Sequence, residues 1–332
     1  MIKTIITPWA SLKAWLIPHG LLVVATLLLS SAATAETIRY GLITPPNHLW
    51  SQVMVQFKAN LEASIGSGIT VKESRLAKVH GEAKLIDMLK KGQIQMGIVA
   101  AGGLTTLDPS LNGWLVPYQF AEVRQLQDAA SNDAAQAMLN ELQAHNLVAL
   151  GYTFSGMRQI LTPEKVGNID ELKGKRVGSY ANDVFYNWYR QLKIDPQPLQ
   201  IQDALTQLQK GKLDALDCDL STAVGLKLYE PAPHLLLTNH MAFPGIFTAS
   251  KKWWDKLTPE MQQHIIKAYT KAQRWGVQQL AENERENLRI LRENGVTIVK
   301  LNEADFGGIP KKLRDFYYST NSRLRSFGVA VQ

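Results

Sequence analysis

The chain has 332 residues, of which 45% are hydrophobic and 20% charged, with a formal net charge of +7. That length supports two lobes with separate cores, and the composition is that of an ordinary globular protein, not a disordered, fibrous or low-complexity one. The positive charge is spread along the chain with no compact basic–aromatic patch, which argues against a nucleic-acid partner.

Residues 1–35 contain Lys3 and Lys13 and no acid, and the apolar run "GLLVVATLLLSSAATA" ends in Ala33-Thr34-Ala35. A basic start, a short apolar core and an A-x-A site read as a secretory signal peptide cleaved after Ala35. The apolar core is short for a span of roughly 20 residues. Loss of the two lysines takes the charge from +7 to +5. Cys218 is the single cysteine, so an exported chain has no internal disulfide and depends on packing. A lone cysteine reads first as a small buried apolar residue.

"TIRYGLI" (Thr37–Ile43) reads as a strand and "TPPNH" as a turn. "HLWSQVMVQFKANLEASIG" has helical spacing and stops at Gly66 and Gly68. "ITVKESR" is a strand, "GEAKLIDMLKKGQ" a helix stopped by Gly92, and "IQMGIVA" a buried strand. This β-α-β-α-β run predicts a largely parallel sheet. The helix "QLQDAASNDAAQAMLNELQAH" and the strand "NLVALGYTF" follow. The pattern then restarts with "RVGSY", "NDVFYNWYRQLK", "PQPLQ", "IQDALTQLQKGK" and "LDALDCD", which predicts a second α/β lobe. "HLLLTNHMAFPGIFTAS" returns as strand and loop. From Thr258 as cap and Pro259 in the first turn, one helical pattern runs to Gly295, long enough to bridge two lobes. "VTIVKLN" gives a last strand and "GGIPKKLRDFYYST" a terminal helix. The expected lobes are 36–155 with 244–283, and 156–243 with 284–332, the chain crossing between them at hinges around a ligand cleft.

Catalytic signatures are absent: the sequence has no G-x-S-x-G, H-E-x-x-H, G-x-x-x-x-G-K-[ST] or C-x-x-C. No nucleophile–base pair is visible, so no enzyme, metal or cofactor is expected. "AAGGL" (Ala100–Leu104) lacks phosphate-loop spacing and reads as a tight turn. His48 and His240 fall near strand ends, where clefts form, and each reads first as a hydrogen-bonded loop residue. Asp217 and Asp219 share one strand face. They are either solvated strand-end acids or holders of a cation or amine. Trp253 and Trp254 read as lobe packing.

"GMRQILTPEKVGNIDELKGKRVG", followed by "QLQKGKLDALDCDLSTAVGLKLYEPAPHLLLTNH", resembles the DctP-type extracytoplasmic solute-binding proteins of TRAP transporters. That family's wording is G-x-R-Q, D-L-K-G-x-K-x-R-V-P, L-Q-x-G-x-x-D-G-x-E-N-P, K-x-Y-E-V and T-x-H. "TPPNH", "LKKGQIQMGIV", "LVPYQF" and "ASKKWWDKLTPEMQQHI" agree in order and spacing. The resemblance implies a periplasmic receptor with a two-lobed α/β fold of the periplasmic binding protein type (type II-like), hinge strands and a long helix spanning both lobes. It further implies capture of a small-molecule solute and delivery to TRAP-type integral membrane subunits, the only contact with the membrane.

In the family, an Arg after the glycine of D-L-K-G clamps a carboxylate with its planar fork. The aligned residue here is Gly178. Arg176 stands two residues before it on the same strand face and is a candidate to reach over. Arg158, in "GMRQ", matches the family's second Arg. Asp217 and Cys218 stand where the family has Glu and Asn. Tyr180, Phe185 and Trp188 offer aromatic surface to such a site, and Asn182 is a further candidate lining residue. Losing a charge-assisted bond worth about 1.5–3 kcal/mol is on the order of a hundredfold in affinity, so the solute is expected to differ from a simple monocarboxylate. Three readings remain open: an organic acid or a larger, less acidic relative; a cationic or amine-bearing solute; or an accessory protein that has left solute uptake, associated for example with efflux or sensing.

Overall fold

The structure is a computed structural model that describes residues 36–331; the expected signal peptide lies outside them. Two mixed β-sheets organise the chain. The first contains β1 (Glu36–Gly41), β2 (Ile69–Glu73), β3 (Met96–Ala100), β4 (Leu147–Thr153) and β10 (Gly245–Ser250), in the order β2-β1-β3-β10-β4. The second contains β5 (Arg158–Thr162), β6 (Arg176–Ser179), β7 (Asp195–Pro198), β8 (Ala215–Asp219), β9 (His234–Leu237) and β11 (Thr297–Lys300), in the order β11-β9-β5-β8-β6-β7.

The strands that cross between sheets break the parallel pattern. β10 runs antiparallel to β3 and β4, with Gly245 opposite Ala100 and Thr153. β5 runs antiparallel to β8 and β9. The largely parallel sheets expected from sequence are therefore mixed, because each sheet receives a strand that returns from the other. β3 and β10 are buried along their whole length, as central strands covered on both faces must be.

The helix Leu49–Ile65 buries Trp50, Val53, Met54, Phe57 and Leu61, an apolar stripe at helical spacing. Each such side chain contributes about 1.5–3 kcal/mol on burial. This helix packs against the helix Pro259–Glu293, which also touches the helix Leu220–Gly225 beyond β8 and so links the two sheets. Thr258 accepts from the Met261 amide at its start, and Pro259 occupies the first turn. Gly295 beyond its end has φ +77°.

The main core lies against the first sheet and continues into Phe185, Trp188 and Tyr189 of the helix Asp183–Gln191. A smaller core of Leu161, Leu208, Leu213, Leu216 and Leu235 backs the second sheet. The terminal helix expected from "GGIPKKLRDFYYST" forms as Ile309–Thr320, and a further helix, Ser322–Ala330, follows it. That last helix was expected with the second lobe. It packs instead on the 109–115 segment of the first, where Phe327 meets Trp114 at a ring separation of 4.7 Å. "AAGGL" is a helical turn, Ala101–Leu104, rather than a bare tight turn. Among the described residues no helix is long and apolar enough to cross a membrane.

Candidate solute-binding cleft

The ends of β3, β6 and β8 converge with the starts of the helices Leu49–Ile65 and Asp183–Gln191 around a cavity of about 490 Å³. Both sheets contribute to its wall: Thr44, His48, Glu82, Gly102 and Gly103 from the first, and Arg158, Ser179, Tyr180, Asp217 and Asp219 from the second. Interlobe placement and concave shape are the usual features of a small-ligand site.

Arg158 is the centre of the wall. It opens β5, and its register opposite Asp219 on β8 brings its guanidinium beside both acids. Its Nε donates to Asp217 Oδ1 at 2.6 Å, and its Nη2 donates to the Asp217 backbone carbonyl at 2.6 Å. Its Nη1 lies 3.8 Å from Asp219 Oδ2. The guanidinium sits over the ring of Phe243 at 4.7 Å and that of Phe185 at 5.5 Å, two cation–π contacts that suit a desolvated Arg. Burial opposes the positive charge on Arg158, but Asp217 and Asp219 hold it protonated.

Asp217 and Asp219 share a face of β8 by the period-2 rule. Asp217 Oδ2 also accepts from Tyr189 Oη at 2.8 Å and meets His240 Nε2 at 3.2 Å. Burial opposes its charge, and Arg158 with His240 holds the carboxyl below its usual range. Asp219 caps the following helix, accepting from the Thr222 amide at 2.9 Å and the Thr222 hydroxyl at 2.8 Å. His48 Nε2 reaches Asp219 Oδ1 from the other sheet at 3.4 Å. Burial again opposes the charge, and His48, Arg158 and the Thr222 amide hold this carboxyl well below the ordinary range.

Elsewhere in the wall, Tyr180 Oη donates to Glu82 Oε2, and the Ala100 amide donates to Glu82 Oε1 at 2.7 Å. This contact also bridges the sheets. It requires the two glycines of "AAGGL". A Cβ at Gly102 would stand 2.9 Å from Tyr180 Cε1, and one at Gly103 would stand 2.8 Å from both Tyr180 Oη and Glu82 Oε2. Burial raises the Glu82 carboxyl to about 7. Asn182 makes a further bridge: its Nδ2 donates to Thr105 Oγ1 at 3.0 Å and to Asn112 Oδ1 at 3.1 Å.

Of the residues singled out in the sequence, Arg158, Asp217, His48, Tyr180 and Asn182 line the cavity together. The others stand elsewhere. Gly178 faces away from the cleft: a Cβ there would meet Leu213 Cδ1 at 2.6 Å and Leu199 Cδ2 at 3.0 Å. Its lack of a side chain makes room for the smaller core and opens no space for a solute. Arg176 shares that face and does not swing into the cavity. It forms a fork on Asp214, Nε to Oδ2 at 2.9 Å and Nη2 to Oδ1 at 2.8 Å. Cys218 alternates away from its neighbouring acids into the smaller core, and burial pushes its thiol well above the usual value. Phe185 and His240 are buried behind the wall, supporting Arg158 and Asp217 respectively. Trp188 stacks on His240 at 5.8 Å.

Sequence reasoning passed over Glu82, Ser179 and Phe243, and gave Asp219 no place in the family wording. Asp219 is visible there afterwards: it occupies the position of Pro in E-N-P, and its spacing to Thr222 is that of a helix cap. Glu82 follows Gly81, whose φ of +75° breaks the helical run, so no periodicity marked its direction.

The model of the bacterial extracellular solute-binding proteins of family 7 (DctP) matches residues 40–321. Among curated relatives, the 2,3-diketo-L-gulonate-binding periplasmic protein YiaO of Escherichia coli is 20% identical over 81% of this chain and 83% of its own. An uncharacterized protein of Haemophilus influenzae is 26% identical over 90% of this chain and 92% of its own. The galactonate complex of the sugar acid binding protein DctPAm from Advenella mimigardefordensis superposes with a TM-score of 0.85 at 21% identity, covering 90% of this chain and 98% of that one. A TRAP periplasmic solute-binding protein of Haemophilus influenzae with bound L-gulonate gives 0.83 at 23%, covering 89% and 98%. The two-lobed fold is thus that of the TRAP receptors, which capture solutes and catalyse nothing. The chain belongs to the bacterial extracellular solute-binding proteins of family 7, the DctP family.

Proposed function

We propose that the protein is the periplasmic receptor of a TRAP-type transporter, exported by a signal peptide cleaved after Ala35. It captures a small polar organic solute of sugar-acid size and hands it to integral membrane subunits. The observation that carries this reading is the cavity of about 490 Å³, lined by both sheets, in whose wall Arg158 is fixed by Asp217. Relatives that bind galactonate, L-gulonate and 2,3-diketo-L-gulonate support an organic acid or a less acidic relative of that size. An accessory protein without a solute has no use for a cavity of this size, walled by polar groups from both sheets.

The test is a thermal-shift screen of the mature chain against hexonates, hexuronates, dicarboxylates, hydroxy acids and their amino counterparts. A ligand of the closed cleft raises the melting temperature by mass action, on the order of 2.7 kcal/mol of stabilisation at a hundredfold excess over Kd. A response to one class, lost in Arg158→Ala, supports the receptor. No response to any class would sink it.

A further inference from the structure

The wall of the cleft has a charge balance that a simple organic anion does not complete. Among the described residues that line it, Arg158 is the one Lys or Arg, against the carboxyls of Glu82, Asp183, Asp217 and Asp219. Arg158 is already committed to Asp217 through two bonds of 2.6 Å. His48 is also engaged: its Nδ1 accepts from the Trp50 amide at 3.1 Å. Its Nε2 faces Asp219 Oδ1 at 3.4 Å. Among the described residues of the wall, an arriving carboxylate finds no Lys or Arg other than Arg158, which is already paired.

Asp219 offers the complementary feature. An ionised carboxylate has about four lone-pair sites. Those of Asp219 receive the Thr222 amide, the Thr222 hydroxyl and His48 Nε2. The remaining site, on Oδ2, is too far from Arg158 Nη1 for a hydrogen bond, at 3.8 Å. The adjoining wall carries an independent mark of a missing ligand. Ser179 Oγ is 1% exposed, lines the cavity and has no hydrogen-bond partner. A buried hydroxyl left unpaired costs on the order of 1–3 kcal/mol, so a polar group of the solute is the natural partner.

We propose that the solute carries a protonated amine seated on Asp219, on a hydroxylated skeleton that pairs with Ser179. This rests on the receptor reading above. Any carboxylate of the same solute lies toward Arg158 Nη1, so the favoured ligand is an amino acid or amino sugar acid rather than the corresponding hydroxy acid.

The experiment is isothermal titration of the mature chain with matched pairs that differ by one group: gluconate and glucosaminate, malate and aspartate, lactate and alanine. In the pair that binds, the amino compound is expected to bind about tenfold or more tighter than its hydroxy counterpart, the effect of one charge-assisted bond. Asp219→Asn keeps an oxygen for the Thr222 amide, so the helix cap survives. It should reduce the preference to about twofold, while a melting curve confirms folding. Hydroxy acids binding as tightly as their amino partners would overturn the amine and leave the receptor standing. A preference unchanged in Asp219→Asn would overturn the seat on Asp219. Silence from every pair and from the wider screen would overturn both readings.

Discussion

Arg158 and Asp217 hold each other through two bonds of 2.6 Å, one to a carboxylate oxygen and one to the backbone carbonyl of the same residue. The pair is almost wholly buried, with Arg158 5% and Asp217 1% exposed. Removing one partner of such a pair leaves an uncompensated charge, which costs about 3–5 kcal/mol. Arg158→Ala is therefore expected to lower the urea midpoint strongly as well as abolish binding. Asp217→Asn is the sharper probe. It keeps the shape and the carbonyl contact but frees the guanidinium, so weak carboxylate binding should strengthen while stability falls. Calorimetric titration with gluconate beside urea denaturation checks both halves. Weakened gluconate binding in a folded Asp217→Asn chain would show that the acid, not the Arg, faces the solute.

Gly178 leads to an expectation opposite to the one its sequence position suggests. A side chain there meets Leu213 and Leu199 before it meets the cleft. Forcing a methyl into a filled core costs about 1–3 kcal/mol. Gly178→Ala should therefore lower the melting temperature by several degrees with solute affinity little changed. Gly178→Arg should misfold or lose more, and should not gain carboxylate binding. A stable Gly178→Arg protein with tight gluconate binding would contradict this packing.

The contrast between Arg158 and Gly178 shows what was legible in the sequence. Arg158, Asp217, Tyr180 and Asn182 sit in short motifs whose spacing survives folding. The long helix announced itself through Thr258-Pro259 and Gly295. The two-fold alternation of β6 put Arg176 and Gly178 on one face, correctly, but alternation cannot say which face meets the cleft. That was decided by the leucines of the smaller core and by Asp214, which meets the Arg176 amide from 38 positions away. Glu82 was illegible for a related reason: its direction depends on the Gly81 break and on two glycines of another segment. The antiparallel strands β5 and β10 follow from crossovers, which local patterns do not encode.

Glu82 makes stability depend on pH. Burial raises its carboxyl from 4.5 to about 7. Between those values the folded chain holds a proton that the unfolded chain has released. Its contribution is therefore fully present below about pH 4.5 and is lost as pH rises through 7. A shift of this size is on the order of 3 kcal/mol. Glu82→Gln keeps an acceptor for the Ala100 amide and a partner for Tyr180 without the charge. It should be more stable than the parent at about pH 8.5, with the advantage shrinking toward about pH 5. Glu284, also raised by burial, leaves a residual slope of the same sign. Melting curves at the two pH values decide: an advantage that grows on acidification would refute the assignment.

Asn182 separates closure of the cleft from folding of the lobe that carries it. Its Oδ1 caps the helix Asp183–Gln191 by accepting from the Val184 amide at 2.8 Å. Its Nδ2 crosses the cleft to Thr105 Oγ1 and Asn112 Oδ1. Serine caps a helix as well as asparagine does but is too short to make the crossing. Asn182→Ser should thus leave stability within about 1 kcal/mol while removing bonds worth about 0.5–1.5 kcal/mol each from the closed state. Affinity is expected to fall about tenfold, and the unliganded chain should spend more time open. Small-angle scattering would read this as a larger radius of gyration that returns to the parent value when solute is added in excess. A loss of affinity with no change in the unliganded radius would place Asn182 on the solute itself rather than on closure.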